Sequence, residues 1–246
     1  MLVSKKFIPS LFTILNAFCG FMSIINASNG QFEIASMFII YGAFFDLFDG
    51  FVARLLKTSS DFGVELDSLS DVISFGAAPS YLLYAIFFKS YEGIGIAISS
   101  LVMVFSAIRL ARFNVELVGY DKEKFKGLPT PITAITLCSY ILFYHNKILS
   151  PDISSKTIFI LAISLPFLMV SRFTYFTLPK INKKSFRRNI YIFIILFIAI
   201  ILVAITKGEA LFPFTILYVL SGILATILKM IFKKKPPRPA VKISLT

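Results

Sequence analysis

Histidine, cysteine and charge are all scarce in this 246-residue sequence. There is one histidine, His145, which excludes any mechanism built on a pair of histidines. The two cysteines, Cys19 and Cys138, cannot build a disulfide scaffold, and both fall in apolar runs as packing residues. Charged residues make up 15%, against about a quarter in an ordinary soluble domain. Disorder is excluded as well, because 57% of the residues are hydrophobic. No Gly-x-Ser-x-Gly elbow and no Walker loop is present. There is no inverted internal repeat, and low complexity is confined to 233–239.

What the sequence has is long apolar runs and a mean hydropathy of +0.83. They predict an all-α integral membrane protein with about eight transmembrane helices, at 7–27, 32–56, 64–88, 94–114, 131–144, 157–178, 190–206 and 211–232. The fifth is short, and Pro166 is expected to kink the sixth. The first run follows Lys5 and Lys6 but is too long for the apolar core of a cleavable signal, so none is expected.

The basic residues set an orientation. With the N-terminus in the cytoplasm, only Lys89, Lys147, Lys156 and Lys207 of the 25 lysines and arginines fall on the other side. This bias predicts both termini cytoplasmic. The net charge of +12 therefore reflects loop asymmetry, and no nucleic-acid partner is expected. The lysine run at 233–235 is read as an anchor on anionic lipid.

Most of the thirteen acids sit in loops or at span ends. Asp46 and Asp49 lie inside the second run, and Asp67 and Asp71 inside the third. A carboxylate in a bilayer is costly, which makes each a candidate functional group. Spacings of three and four put each pair on one helix face. The two helices are consecutive and antiparallel. Both pairs therefore converge at one depth, roughly 10 Å from the cytoplasmic helix ends at 1.5 Å per residue. Four such carboxylates repel unless cations neutralise them, and all-oxygen ligation favours hard ions such as Mg²⁺, Mn²⁺ or Ca²⁺. Two divalent ions would balance the charge, an arrangement used in phosphoryl transfer. Gly50, Ala53 and Gly63 leave room for a ligand, and Arg54 is a fork suited to phosphate oxygens. Intramembrane acids also suit a cation-coupled carrier, but the missing repeats and the clustering at one level speak against it.

The stretch Asp46-x₂-Asp49-Gly50-x₂-Ala53-Arg54-x₈-Gly63-x₃-Asp67-x₃-Asp71 fills every fixed position of a known signature. It resembles that of the CDP-alcohol phosphatidyltransferases. The resemblance implies a six-helix core, two divalent cations (Mg²⁺ or Mn²⁺) on Asp46, Asp49, Asp67 and Asp71, and Asp71 as the general base. It also implies Gly50, Ala53, Arg54 and Gly63 around the nucleotide and pyrophosphate. The chain would then comprise a core at 1–178, two further helices at 179–232 and a basic cytoplasmic tail at 233–246.

From about Phe7 to Ala134 the sequence is most similar to the membrane-embedded phosphatidylserine synthase branch. The marks are Asp67-Ser-Leu-Ser-Asp71-Val-Ile-Ser-Phe-Gly-Ala-Ala-Pro79, Arg109-Leu-Ala-Arg112-Phe-Asn114 and Phe125-Lys-Gly-Leu-Pro-Thr-Pro131. A Pro-Asn pair usual in the first span is Pro9-Ser10 here. The branch implies CDP-diacylglycerol and L-serine as substrates, CMP as product, membrane lipids as surroundings and a homodimer. Arg109, Arg112, Asn114 and Lys126 would then bind the serine carboxylate. Glycerol 3-phosphate or inositol phosphate as acceptor, or CDP-archaeol as donor, remain open alternatives. The paired-histidine route to the same product is closed by the single histidine.

Overall fold

The computed structural model describes residues 7–56, 58, 60–118, 127–175 and 190–232. These residues form eight helices. They are α1 (Phe7–Ser28), α2 (Phe32–Leu56), α3 (Asp61–Ile86), α4 (Glu92–Val118), α5 (Thr130–Phe143), α6 (Pro151–Val170), α7 (Ile190–Ile205) and α8 (Leu211–Ile231). A 3₁₀ turn, Phe88–Tyr91, joins α3 to α4. There is no β-sheet among the described residues.

Six helices, α1 to α4, α6 and α8, are long and apolar enough to cross a bilayer. The chain is a multi-pass integral membrane protein. The other two are shorter, with 14 residues in α5 and 16 in α7. At 1.5 Å per residue they rise roughly 21 and 24 Å, less than a hydrocarbon core of about 30 Å. The Lys233–Lys235 tail expected at 233–246 lies outside the described residues.

α6 departs most from the hydropathy reading, since it starts at Pro151 instead of 157 and ends at Val170 instead of 178. Pro151 fits the first turn, where a missing N–H costs nothing. The polar first turn is held in the helix by Ser154, whose Oγ accepts from Asn146 N at 3.1 Å and lies 2.8 Å from His145 Nδ1. Pro166 lies inside α6, and the helix continues past it to Val170. Past that end, a strap before α5 takes over the free carbonyls. Leu128 N donates to Leu168 O at 3.0 Å and Gly127 N to Phe173 O at 2.8 Å. Gly127 has φ +92°, and a Cβ there would run into the Met169 carbonyl, so the Gly-Leu-Pro segment demands glycine at this point.

α1 packs along α2 and across α3, α4 packs on α3 and α6, and α5 lies against α2, α6 and α8. The exterior is apolar, with Phe18, Phe21, Phe44, Leu47 and Ile160 exposed as lipid would require. Lipid gives no hydrophobic drive to helix association, so the interior relies on close packing and hydroxyl groups. Buried residues accordingly include Ser36, Ser70, Ser74, Ser106, Thr133, Thr136 and Ser139 beside Phe75, Leu82, Leu137 and Tyr140. Glycine permits the closest approach. A Cβ on Gly20 of α1 would lie 2.6 Å from Ser74 Oγ and 2.7 Å from Ser74 Cα on α3. A π turn, Val72–Ala77, interrupts α3 at this contact.

Candidate active site

Ser60 starts α3. Its backbone is extended and its Oγ accepts from Gly63 N at 3.1 Å, satisfying one of the open N–H groups of the first turn. This fixes the helix start, and with it Asp67 and Asp71 on one face. Asp46 and Asp49 face them from the last turns of α2. Carboxylate oxygens of Asp46, Asp49 and Asp67 all lie within 4.8 Å of one another. Asp71, one turn after Asp67 on α3, lies close enough to Asp46 for their charges to interact. The expected four-acid cluster is therefore assembled, with Asp49 and Asp71 buried and Asp46 and Asp67 half-buried.

α1 adds two residues that the acid spacing did not reveal. Thr13 Oγ1 donates to Asp49 Oδ2 at 2.8 Å, and Asn16 Nδ2 donates to Asp71 Oδ1 at 3.2 Å. Ser74 Oγ in the π turn donates to the Asn16 carbonyl at 2.7 Å, tying α1 to α3 beside Asp71. π turns recur at functional sites because they re-aim side chains without ending a helix. Asn16 had a readable signal, a lone amide in the middle of an apolar run. Thr13 and the π turn had none.

The donor set fits divalent cations. It contains only oxygens, which suits hard ions. The Asp67 Oδ1 atom is buried with no hydrogen-bond partner. Four acids at this spacing need positive charge between them, because a cluster of buried carboxylates cannot remain ionised unaided.

Arg54 folds back over Gly50, so that a Cβ there would sit 3.7 Å from its Nη1. Arg54 is exposed, and Ala53 and Gly63 are half-buried nearby in sequence at the same helix ends. On the opposite flank Arg109 is buried, with Nη1 donating to Thr130 Oγ1 at 3.4 Å. Its guanidinium lies within electrostatic reach of Asp71 and of Arg112. Arg112 Nη1 donates to the Val170 carbonyl at 3.3 Å at the end of α6. Asn114 Nδ2 donates to Ser68 Oγ at 3.0 Å and reaches Glu65 Oε2 at 3.5 Å. Of the four residues expected to hold an acceptor, Arg109 is the buried one and lies within electrostatic reach of Asp71. Arg112 and Asn114 make helix-to-helix bonds, and Lys126 lies outside the described residues.

His145 is remote from the acids. It sits in the turn between α5 and α6, with its ring against Tyr140 and burial pushing its imidazole below the ordinary value. Lys147 in the same turn pairs with Glu33 at the start of α2.

A family model, CDP-alcohol phosphatidyltransferase, matches residues 6–170. The chain belongs to this family. Among relatives, a CDP-diacylglycerol–serine O-phosphatidyltransferase of Helicobacter pylori is 38% identical over 92% of this chain and 94% of its own length. An archaetidylserine synthase of Methanothermobacter thermautotrophicus is 37% identical, covering 68% of this chain and 69% of its own. A CDP-diacylglycerol–serine O-phosphatidyltransferase of Bacillus subtilis is 37% identical over 58% of this chain and 80% of its own. As a CDP-alcohol phosphatidyltransferase, the chain carries all four acids, the Gly50–Arg54 turn of α2 and the Gly127–Pro131 strap within the matched span. α7 and α8 lie beyond the matched span.

Proposed function

We propose that this protein transfers the phosphatidyl group of CDP-diacylglycerol to the hydroxyl of L-serine, giving phosphatidylserine and CMP. The observation that carries the reading is the convergence of Asp46, Asp49, Asp67 and Asp71. The names of the relatives support serine as acceptor, and most support diacylglycerol in place of archaeol.

The four aspartates would hold two divalent cations, Mg²⁺ or Mn²⁺, which supply positive charge to the pyrophosphate and the departing CMP. Arg54 at the helix end adds a charged fork for the same oxygens, and Gly50, Ala53 and Gly63 leave space for the nucleotide. Arg109 takes the serine carboxylate and holds the hydroxyl toward Asp71, with Arg112, Asn114 and Lys126 around it. Asp71 accepts the hydroxyl proton, and Asn16 orients its carboxylate through a hydrogen bond to Oδ1. The serine oxygen bonds to the lipid-side phosphorus as the bond to CMP breaks. No side chain is needed as a covalent nucleophile, so the phosphorus inverts once. Most of the rate then comes from position and electrostatics.

In this reading both termini and the acid cluster face the cytoplasm, where serine and the nucleotide are soluble, and the protein works as a homodimer. CMP release by purified protein tests the assignment, with serine, glycerol 3-phosphate and inositol phosphate supplied one at a time. Release with serine alone supports it. Release only with a phosphorylated alcohol would keep the acid cluster and overturn the acceptor.

A further inference from the structure

α8 lies beyond the span that the family model matches, and it packs on α5, whose first residue, Thr130, accepts a hydrogen bond from Arg109 Nη1 at 3.4 Å. Its inward face is the stripe Thr215, Val219, Gly222 and Thr226, spaced as one side of a helix. Two features hold it there. Thr226 Oγ1 accepts from Thr174 N at 3.0 Å, and Lys229 Nζ donates to Thr174 Oγ1 at 3.0 Å. Gly222 lies against the Tyr175 ring so closely that a Cβ would not fit.

Tyr175 is 7% exposed, and its hydroxyl is buried with no hydrogen-bond partner. Such a group is costly to leave unsatisfied and calls for a polar partner. Its ring stacks on that of Tyr218 of α8, with centroids 5.7 Å apart and planes 28° apart. Tyr218 is in turn within electrostatic reach of Arg109, as Arg109 is of Asp71. Through α5, the stacked tyrosines and Arg109 belong to one packed unit.

We propose that α8 completes the acceptor subsite, with the Tyr218 and Tyr175 hydroxyls donating hydrogen bonds to the anionic group that Arg109 holds. The ligand class is a small alcohol that bears a carboxylate or phosphate. This rests on the reading that the acceptor binds between Asp71 and Arg109. It gives α8 a part in choosing the acceptor.

Tyr218→Phe and Tyr175→Phe test it, since each removes one hydroxyl and keeps the stacked rings. The full-length protein is assayed in detergent for CMP release with CDP-diacylglycerol and Mg²⁺ or Mn²⁺. The unaltered protein is first offered serine, glycerol 3-phosphate and inositol phosphate. Whichever supports release becomes the acceptor whose KM is followed, so a wrong guess of serine fails at this step and does not disturb the variants. Each variant is expected to raise that KM about 3- to 10-fold, the worth of one hydrogen bond, with the KM for CDP-diacylglycerol and the unfolding temperature unchanged. An unchanged acceptor KM in both variants overturns the proposal. An equal rise in both KM values, or a lowered unfolding temperature, assigns the tyrosines to packing and overturns it too. Release with none of the three alcohols removes the subsite together with the reading on which it rests.

Discussion

Asn16 on α1 donates a hydrogen bond to Asp71 on α3 across 3.2 Å, joining two residues 55 positions apart. In the proposed mechanism this contact makes the first helix part of the reaction machinery and not only a membrane anchor. Asn16 is fully buried, and its other amide atom, Oδ1, has no partner.

Replacing Asn16 by Leu should therefore cost turnover. A hydrogen bond to a charged group is worth about 1.5–3 kcal/mol, or roughly 10- to 100-fold in rate. Turnover at saturating substrates should fall by that factor, with the KM for CDP-diacylglycerol little changed. Wild-type turnover in Asn16→Leu would show that Asp71 needs no help from α1.

Asp71→Asn keeps the shape of the side chain and removes the proposed base. General-base catalysis contributes about 10²–10⁴-fold, so CMP release should fall by at least the lower figure. Binding of the CDP-lipid should remain measurable by titration. An active Asp71→Asn enzyme would move the base elsewhere in the cluster.

Chelation should abolish activity, and Mg²⁺ or Mn²⁺ should restore it. Cation binding should also raise the unfolding temperature, because a ligand at one hundred times its Kd adds about 2.7 kcal/mol to the folded state. In Asp67→Asn the thermal shift should shrink. Activity that survives thorough chelation contradicts a metal-bound cluster.

Gly20→Ala probes the contact between α1 and the π turn. The new methyl would lie 2.6 Å from Ser74 Oγ. Overpacking of this kind costs about 1–3 kcal/mol, and it should displace Asn16 from Asp71. Unfolding in detergent and CMP release should fall together. If both match the unaltered protein, α1 has slack that the packing does not suggest.

Orientation can be read by labelling single cysteines in a background with Cys19 and Cys138 replaced. Ile148 is exposed in the α5–α6 turn, and Asp61 is exposed at the start of α3. Ile148→Cys should react with an impermeant maleimide on intact cells, and Asp61→Cys only after permeabilisation. The reverse pattern would put the acid cluster on the outer side.

Much of this was legible in the sequence because membrane burial makes a charged residue conspicuous. Asp46, Asp49, Asp67 and Asp71 stand out against apolar runs, and their spacing fixes their faces. Helix count followed from hydropathy for the same reason. The start of α6 did not, because Ser154 and its neighbours look like loop until Tyr140 and His145 are placed beside them. The π turn was invisible, since Val72–Ala77 has the composition of ordinary helix. The second part of the Arg109 environment was hidden for another reason. Thr130 lies 21 residues away in the chain, and only packing brings it to the guanidinium.

The most direct test of the account is CMP release by the purified protein with CDP-diacylglycerol, Mg²⁺ or Mn²⁺, and serine. The account predicts release that depends on serine and on the divalent cation. Release that ignores serine, or appears only with glycerol 3-phosphate or inositol phosphate, would contradict it.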